Sequence, residues 1–234
     1  MTHLKRITLM LLMSVAAFNV VSAQSTSTPA VKDFDGISLG GPFNAIVKLG
    51  NEEKVKIEAS SEDLSQIVTE VNDRMLTIKW KNSSKMWKSP SQKITIYITA
   101  KKLNDLTVSG SGNLKVEDQL NAEDMDIVVS GSGNLSTQIN AKSLNSKISG
   151  SGSIDISGSA ARAEVYISGS GNFKGSSLKT KSTTAKVSGS GEVRIQTDEE
   201  LDAAVTGSGN VIYSGSATKI SAKTSGSGKI KKVS

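Results

Sequence analysis

Histidine and cysteine carry much of the nucleophilic, acid–base and metal chemistry of proteins. This 234-residue sequence holds one histidine, His3, and no cysteine. His3 falls in a stretch that reads as removed on export, so the mature chain would have neither residue. That excludes Ser-His-Asp and Cys-His catalysis and the usual zinc and copper ligand sets. Carboxylates are what remain. Their densest cluster, Asp198-Glu199-Glu200-Asp202, is either a solvated turn or a calcium site, and the turn is the expected reading. The many Gly-Ser pairs do not make a phosphate loop, because no Gly-Lys-Ser/Thr follows them at the required spacing. Nor do they match calcium-binding nonapeptide repeats. The residue after each Ser-Gly-Ser-Gly is Asn, Asn, Ser, Asn, Glu, Asn and Lys, which cannot form a regular carboxylate ladder. No catalytic, cofactor-binding or metal residues are expected.

Two features could serve binding. One is Lys85-Met86-Trp87-Lys88, where an exposed Trp87 beside Lys88 could meet a sugar or a protein. Equally, Trp87 could fold back over the end of the core. The other is the polar file of Ser109, Ser111 and Asn113 with their later counterparts. Stacking would align these into a stripe that either faces a partner or bonds along its own ladder, and the second is the expected reading.

What positions that file is a repeat. Ser-Gly-Ser-Gly or Thr-Gly-Ser-Gly begins at Ser109, Ser130, Ser149, Ser168, Ser188, Thr206 and Ser225, at spacings of 21, 19, 19, 20, 18 and 19 residues. A period near 20 residues marks a solenoid in which each repeat is one coil. Apolar residues alternate on both sides of the motif, as in Met125/Ile127/Val129 and Ile154/Ile156, which is the pattern of strands with one buried face. In the second copy, Met125, Ile127, Val129, Gly131, Gly133 and Leu135 share one parity, while Ser130, Ser132 and Asn134 share the other. Thirteen extended residues reach roughly 40 Å, too far for the remaining six or so to return, so the chain must bend within the segment. Gly-x-Gly is where bending costs least. The expectation is a right-handed parallel β-solenoid of ~19-residue coils over 104–234, each of two strand arms folded about the motif with a looser return turn. Val108, Val129, Ile148, Ile167, Val187 and Val205 should form one buried column.

Upstream, Lys5 and Arg6 precede an apolar run over Ile7–Val21, and Val21-Ser22-Ala23 supplies a cleavage site, so 1–23 reads as a signal peptide. The run is shorter than a spanning helix needs, and nothing later could cross a membrane as a helix. Residues 24–33 read as a flexible leader. Residues 34–103 alternate like strands without the Ser-Gly punctuation and should close the first end of the stack, within one all-β domain over 34–234. Ser61–Ile67 suggests a helical turn capped by Ser60 or Ser61, and Asn72-Asp73 a tight turn. Aromatics are only 4% of residues, so the core is aliphatic and narrow. The net charge of +6 falls to +4 without Lys5 and Arg6, too weak to argue for nucleic acid. Lys223, Lys229, Lys231 and Lys232 crowd the last coil.

The sequence resembles the auto-transporter adhesin head, or GIN, domain family of exported Gram-negative proteins. The resemblance lies in Phe34-Asp-Gly-Ile37, Ala45–Leu49, Ala59-Ser-Ser-Glu-Asp-Leu64, Leu103-Asn-Asp-Leu-Thr-Val-Ser-Gly-Ser-Gly-Asn113 and Val205-Thr-Gly-Ser-Gly-Asn-Val-Ile-Tyr-Ser-Gly215. The tripeptide Gly-Ile-Asn is absent, and Gly41-Pro42-Phe43-Asn44 is the nearest stretch. The resemblance implies an all-β solenoid-like fold, an adhesin-type role and no catalytic residues. Taken together, the expectation is an exported, non-enzymatic protein, periplasmic or at the cell surface, that meets an envelope or host polysaccharide or protein. The alternatives are a carbohydrate-processing enzyme on a β-helix, which would need a cleft with paired acids, and a periplasmic scaffold with no ligand.

Overall fold

The computed structural model describes residues 25–82 and 93–233. The proposed signal segment and the loop residues Trp87 and Lys88 lie outside them. Strands β8 (Asp105–Gly110), β9 (Asn113–Gly131), β10 (Asn134–Gly150), β11 (Ser153–Gly169), β12 (Asn172–Gly189), β13 (Glu192–Gly207), β14 (Asn210–Ser214), β15 (Lys219–Gly226) and β16 (Lys229–Lys232) stack in parallel. The chain is a β-solenoid. Each long strand starts just after one Ser-Gly-Ser-Gly and ends at the first glycine of the next. Straight, the 17 residues of β10 would run roughly 56 Å. They instead pair one repeat on over their whole course, Asn134 with Ser153 and Gly150 with Gly169, so the strand turns with the coil.

The return corner therefore differs from the expected loose turn. It stays in the ladder, with Gln138, Ile139, Asn140 and Ala141 paired to Ser157, Gly158, Ser159 and Ala160. It is also where length varies. Between Lys115 and Gln119 of β9 three residues lie opposite the single Thr137 of β10. In β12, Gly175 pairs Ile195 while Lys179 pairs Gln196, so three residues bulge out against β13. These bulges absorb the uneven spacing of the motifs. The Ser-Gly-Ser-Gly corner never changes length.

That corner is constant because successive coils touch there through backbone. Gly131 has φ +107°, and a Cβ on it would sit 2.6 Å from the Gly110 carbonyl oxygen. A Cβ on Gly133 would sit 2.6 Å from both the Gly112 oxygen and Val108 Cγ1. The Ser132 and Asn134 amides donate to the Gly110 and Gly112 carbonyls at 2.8 and 2.9 Å. Alternation survives the bend: Val129, Gly133 and Leu135 are buried, Ser130, Ser132 and Asn134 exposed. The expected column is in register, Val108–Val129–Ile148–Ile167–Val187–Val205, with every member at most 2% exposed. A second column, Leu114–Leu135–Ile154–Phe173–Val193–Val211, faces it across the corner. Each such side chain contributes roughly 1.5–3 kcal/mol by leaving water.

The N-terminal half adds coils as well as a cover. Strands β2 (Gly36–Gly40) and β3 (Asn44–Leu49) lie in parallel on β8 and β9. Their register sets Gly40 against Ser109 and Asn44 against Asn113, so Gly41-Pro42-Phe43-Asn44 is a degenerate copy of the corner. Strands β6 (Met75–Trp80) and β7 (Thr95–Ala100) form a further coil on β2 and β3, carrying the buried column up through Leu39 to Ile78. The coil earliest in sequence is thus sandwiched between two later ones. Beyond it the stack closes with antiparallel strands, β5 (Ile67–Asn72) on β6 and β4 (Lys54–Ala59) on β7. Helix α1 (Ser61–Gln66) joins them, capped by the Ser60 hydroxyl accepting from the Asp63 amide at 3.1 Å, and its Leu64 packs on the core. Asp73 and Arg74, both at positive φ, turn β5 into β6. The expected flexible leader is partly strand: Ser25–Ser27 form β1, pairing antiparallel with the outer edge of β4, whose ladder groups would otherwise be open.

Replacing Gly131 by Val should lower stability by about 3 kcal/mol through clash and backbone strain. The outward Ser130→Val variant should change it by less than about 0.5 kcal/mol. Chemical denaturation measures both, and equal effects would contradict the corner contact.

Candidate functional site

The predicted polar file divides in two. Asn113 is part of an amide ladder: it donates Nδ2 to Asn44 Oδ1 at 2.9 Å, and Asn134 donates to Asn113 Oδ1 at 2.8 Å. The ladder breaks at Ser153, which stands between Asn134 and Asn172 and whose buried Oγ has no hydrogen-bond partner among the described residues. Asn113 is therefore a structural element. Ser109 and Ser111 behave otherwise. Among the described residues their hydroxyls make no hydrogen bond, so the expected hydroxyl ladder does not form and the row faces solvent. Asp198 is also structural, since its carboxylate accepts from the Ser216 amide at 3.3 Å and fixes the corner at Gly215. Among the described residues no group of three or more acids could hold a metal ion.

The residues brought together most closely for binding are ones that motif reading passed over. On the outer face, two positions before each motif, register stacks Val128, Lys147, Tyr166, Lys186 and Ala204. With Ser149, Ser168, Ser188 and Thr206 beside them they line an open groove of about 480 Å³. Tyr166 is its centre. Its hydroxyl donates to Glu164 Oε2 at 3.1 Å, and Lys186 Nζ lies 5.6 Å from the ring centroid. That hydrogen bond, then burial, holds the phenol above its ordinary pKa. Lys147 and Lys186 make no ion pair among the described residues. They lie two coils apart, about 10 Å at ordinary strand spacing, with the ring between them. Aligning the repeats on the first Ser and reading the position two before it would have exposed this column.

Two residues further back, the outer face is largely acidic. Asp105 is paired with Asp126, to which the Asn145 amide donates at 2.9 Å, and Glu164 follows. Burial, and then the neighbouring Asp126, push the Asp105 carboxyl above its usual range. The groove thus has a cationic and aromatic column flanked by hydroxyls, and the acids of the next column, Asp126, Glu164 and Asp202, lie outside its lining.

The comparison with known proteins matches this architecture. The family model described as "Putative auto-transporter adhesin, head GIN domain" matches residues 33–217. The chain belongs to this family. The degenerate corner Gly41–Asn44 lies inside the match, in register with the first full motif. A solved structure named as a putative adhesin from Bacteroides fragilis is 27% identical, covering 90% of this chain and 97% of that one, with a TM-score of 0.83. Two from Parabacteroides distasonis are each 24% identical: a "putative lipid binding protein" with a TM-score of 0.74 and a "putative adhesin" with 0.71. They cover 92% and 91% of this chain and 98% of each of those, and they share its fold. No curated protein matches it.

The break in the amide ladder yields a test. In Ser153→Asn the new side chain can donate to Asn134 and accept from Asn172, which should stabilise by about 1 kcal/mol. For a chain of this size that raises Tm by roughly 2–4 °C in a thermal melt. A lower Tm would contradict the ladder.

Proposed function

We propose that this GIN-domain protein is an exported, non-enzymatic adhesin that binds an acidic polysaccharide along the outer groove centred on Tyr166. The observation that carries the reading is the Tyr166 ring set between two unpaired lysines, beside hydroxyls that nothing in the described chain satisfies. Aromatic rings offer a sugar an apolar platform with a polar edge. Unpaired lysines two coils apart suit carboxylates or sulfates that recur along a polymer. A parallel solenoid repeats its surface groups every ~4.8 Å, so a ligand that also repeats can engage several coils at once.

Export rests on the basic and apolar segment 1–23, and the adhesin role on the family. No helix among the described residues is long and apolar enough to cross a membrane. The enzymatic alternative draws no support from the densest acids, since Asp198 is committed to a corner and Glu199 lies 3.8 Å from Lys181.

Alginate and chondroitin sulfate, with dextran as the uncharged reference, provide the test by titration calorimetry. Tyr166→Ala should weaken binding to the acidic polymers at least tenfold while leaving the Tm unchanged. Lys147→Ser should flatten the salt dependence. Equal binding by Tyr166→Ala, binding only to a protein ligand, or release of shortened sugar chains would overturn the reading.

A further inference from the structure

The two ends of the stack are built differently. At the first end β1, β4, β5 and α1 cover the core. At the other end all eight residues of β15 are exposed, and β16 lies nearly as open beside it. Among the described residues β15 pairs only with β13, and β16 only with β14, so each leaves one edge unpaired. The apolar columns end there uncovered: Ile220 is 46% exposed, and Ala222, Thr224 and Ile230 line a hollow of about 430 Å³. Charge is equally one-sided. Downstream of Asp202 the sequence has Lys219, Lys223, Lys229, Lys231 and Lys232 and no acidic residue.

Lysines on an edge strand guard against pairing with a like-charged chain. They do not guard against an acidic one. A second copy docked tail to tail would set these five lysines against five more. Docked head to tail, it would meet α1 and the antiparallel strands β1 and β5, whose direction does not continue the parallel coils. Along β15, Ile220, Ala222 and Thr224 continue the inward columns while Lys219, Ser221 and Lys223 continue the outward ones. We infer that this end takes an extended segment of another protein by strand addition, and that the segment alternates apolar with acidic residues. Its apolar side chains would extend the columns of Ile220 and Ala222, and its carboxylates would lie opposite Lys219 and Lys223. Main-chain bonds would supply affinity, and the alternation specificity. This inference is independent of the polysaccharide groove.

The test uses the mature protein and three synthetic octapeptides: alternating Glu-Val, alternating Lys-Val, and the first composition as four Glu followed by four Val. Fluorescence anisotropy should show the alternating acidic peptide binding at least tenfold more tightly than the other two, more weakly as salt rises. Hydrogen exchange of the Lys219–Gly226 amides should slow several-fold on binding. The double variant Lys219→Glu/Lys223→Glu should reverse the preference toward the Lys-Val peptide, while Tyr166→Ala should leave it intact. Equal binding of the block peptide would reduce the end to a charged surface. Concentration-dependent self-association without peptide would assign it to a second copy. Absence of binding, or binding without amide protection, would equally overturn the inference.

Discussion

The contact on which the rest of the molecule depends is backbone against backbone. At each Ser-Gly-Ser-Gly corner the carbonyl of one coil occupies the place where a side chain of the next would begin, as Gly110 does for Gly131. A coil can follow the bend of the coil before it at strand spacing only if its own inner corner position carries no Cβ, as at Gly112, Gly133 and Gly152. Once that contact is made, register follows. The strands on either side must pair residue for residue, the apolar positions fall into columns, and excess length can leave only at the opposite corner. The bulges at Val116–Asp118 and Ser176–Leu178 lie there, and the amide and hydroxyl files outside the corner are by-products of the same stacking.

The same constraint explains what could be read in the amino-acid order. Val108, Val129 and Ile148 announce a buried column because each sits immediately before a motif that cannot slip. The two coils built by β2–β3 and β6–β7 are harder to see. Gly41-Pro42-Phe43-Asn44 keeps only the glycine and the terminal asparagine, with Phe43 filling the inside against Trp80 at 5.2 Å between ring centroids. In the next coil β6 ends at Trp80 and β7 begins at Thr95, so the two arms are not joined by a four-residue corner, and that coil stacks out of sequence order. No local pattern states which strand lies on which. Ser25–Ser27 reads as leader because its pairing is decided by the open edge of β4, not by its own composition. The candidate site was legible in part. Asn113 could be recognised as a ladder residue, and Ser109 and Ser111 as outward. The Tyr166 column was not, because its members share a position but no residue type.

A solenoid that uses one contact for stability leaves its surfaces free to vary. Across the outer face the glycine corner demands nothing of the residue two positions before it, which can be Val128, Lys147 or Tyr166 without disturbing the stack. That freedom gives one column an aromatic and cationic character and its neighbour an acidic one. The ends vary for another reason. An end must be covered, guarded or occupied, and this chain covers the first and charges the second.

The dependence on a register-true corner is tested most directly by removing one whole coil. Deleting the 19 residues from Gly131 to Ser149 joins Ser130 to Gly150, which already occupy successive positions of the same motif. The shortened protein should melt cooperatively, retain its strand signal and lose about 5 Å of length by small-angle scattering. Removing 18 residues instead, from Gly131 to Ile148, should unfold it, because the extra residue is left inside the glycine corner, where no bulge can take it up. If both deletions fold equally well, or the 19-residue deletion does not fold at all, the corner contact does not set the register.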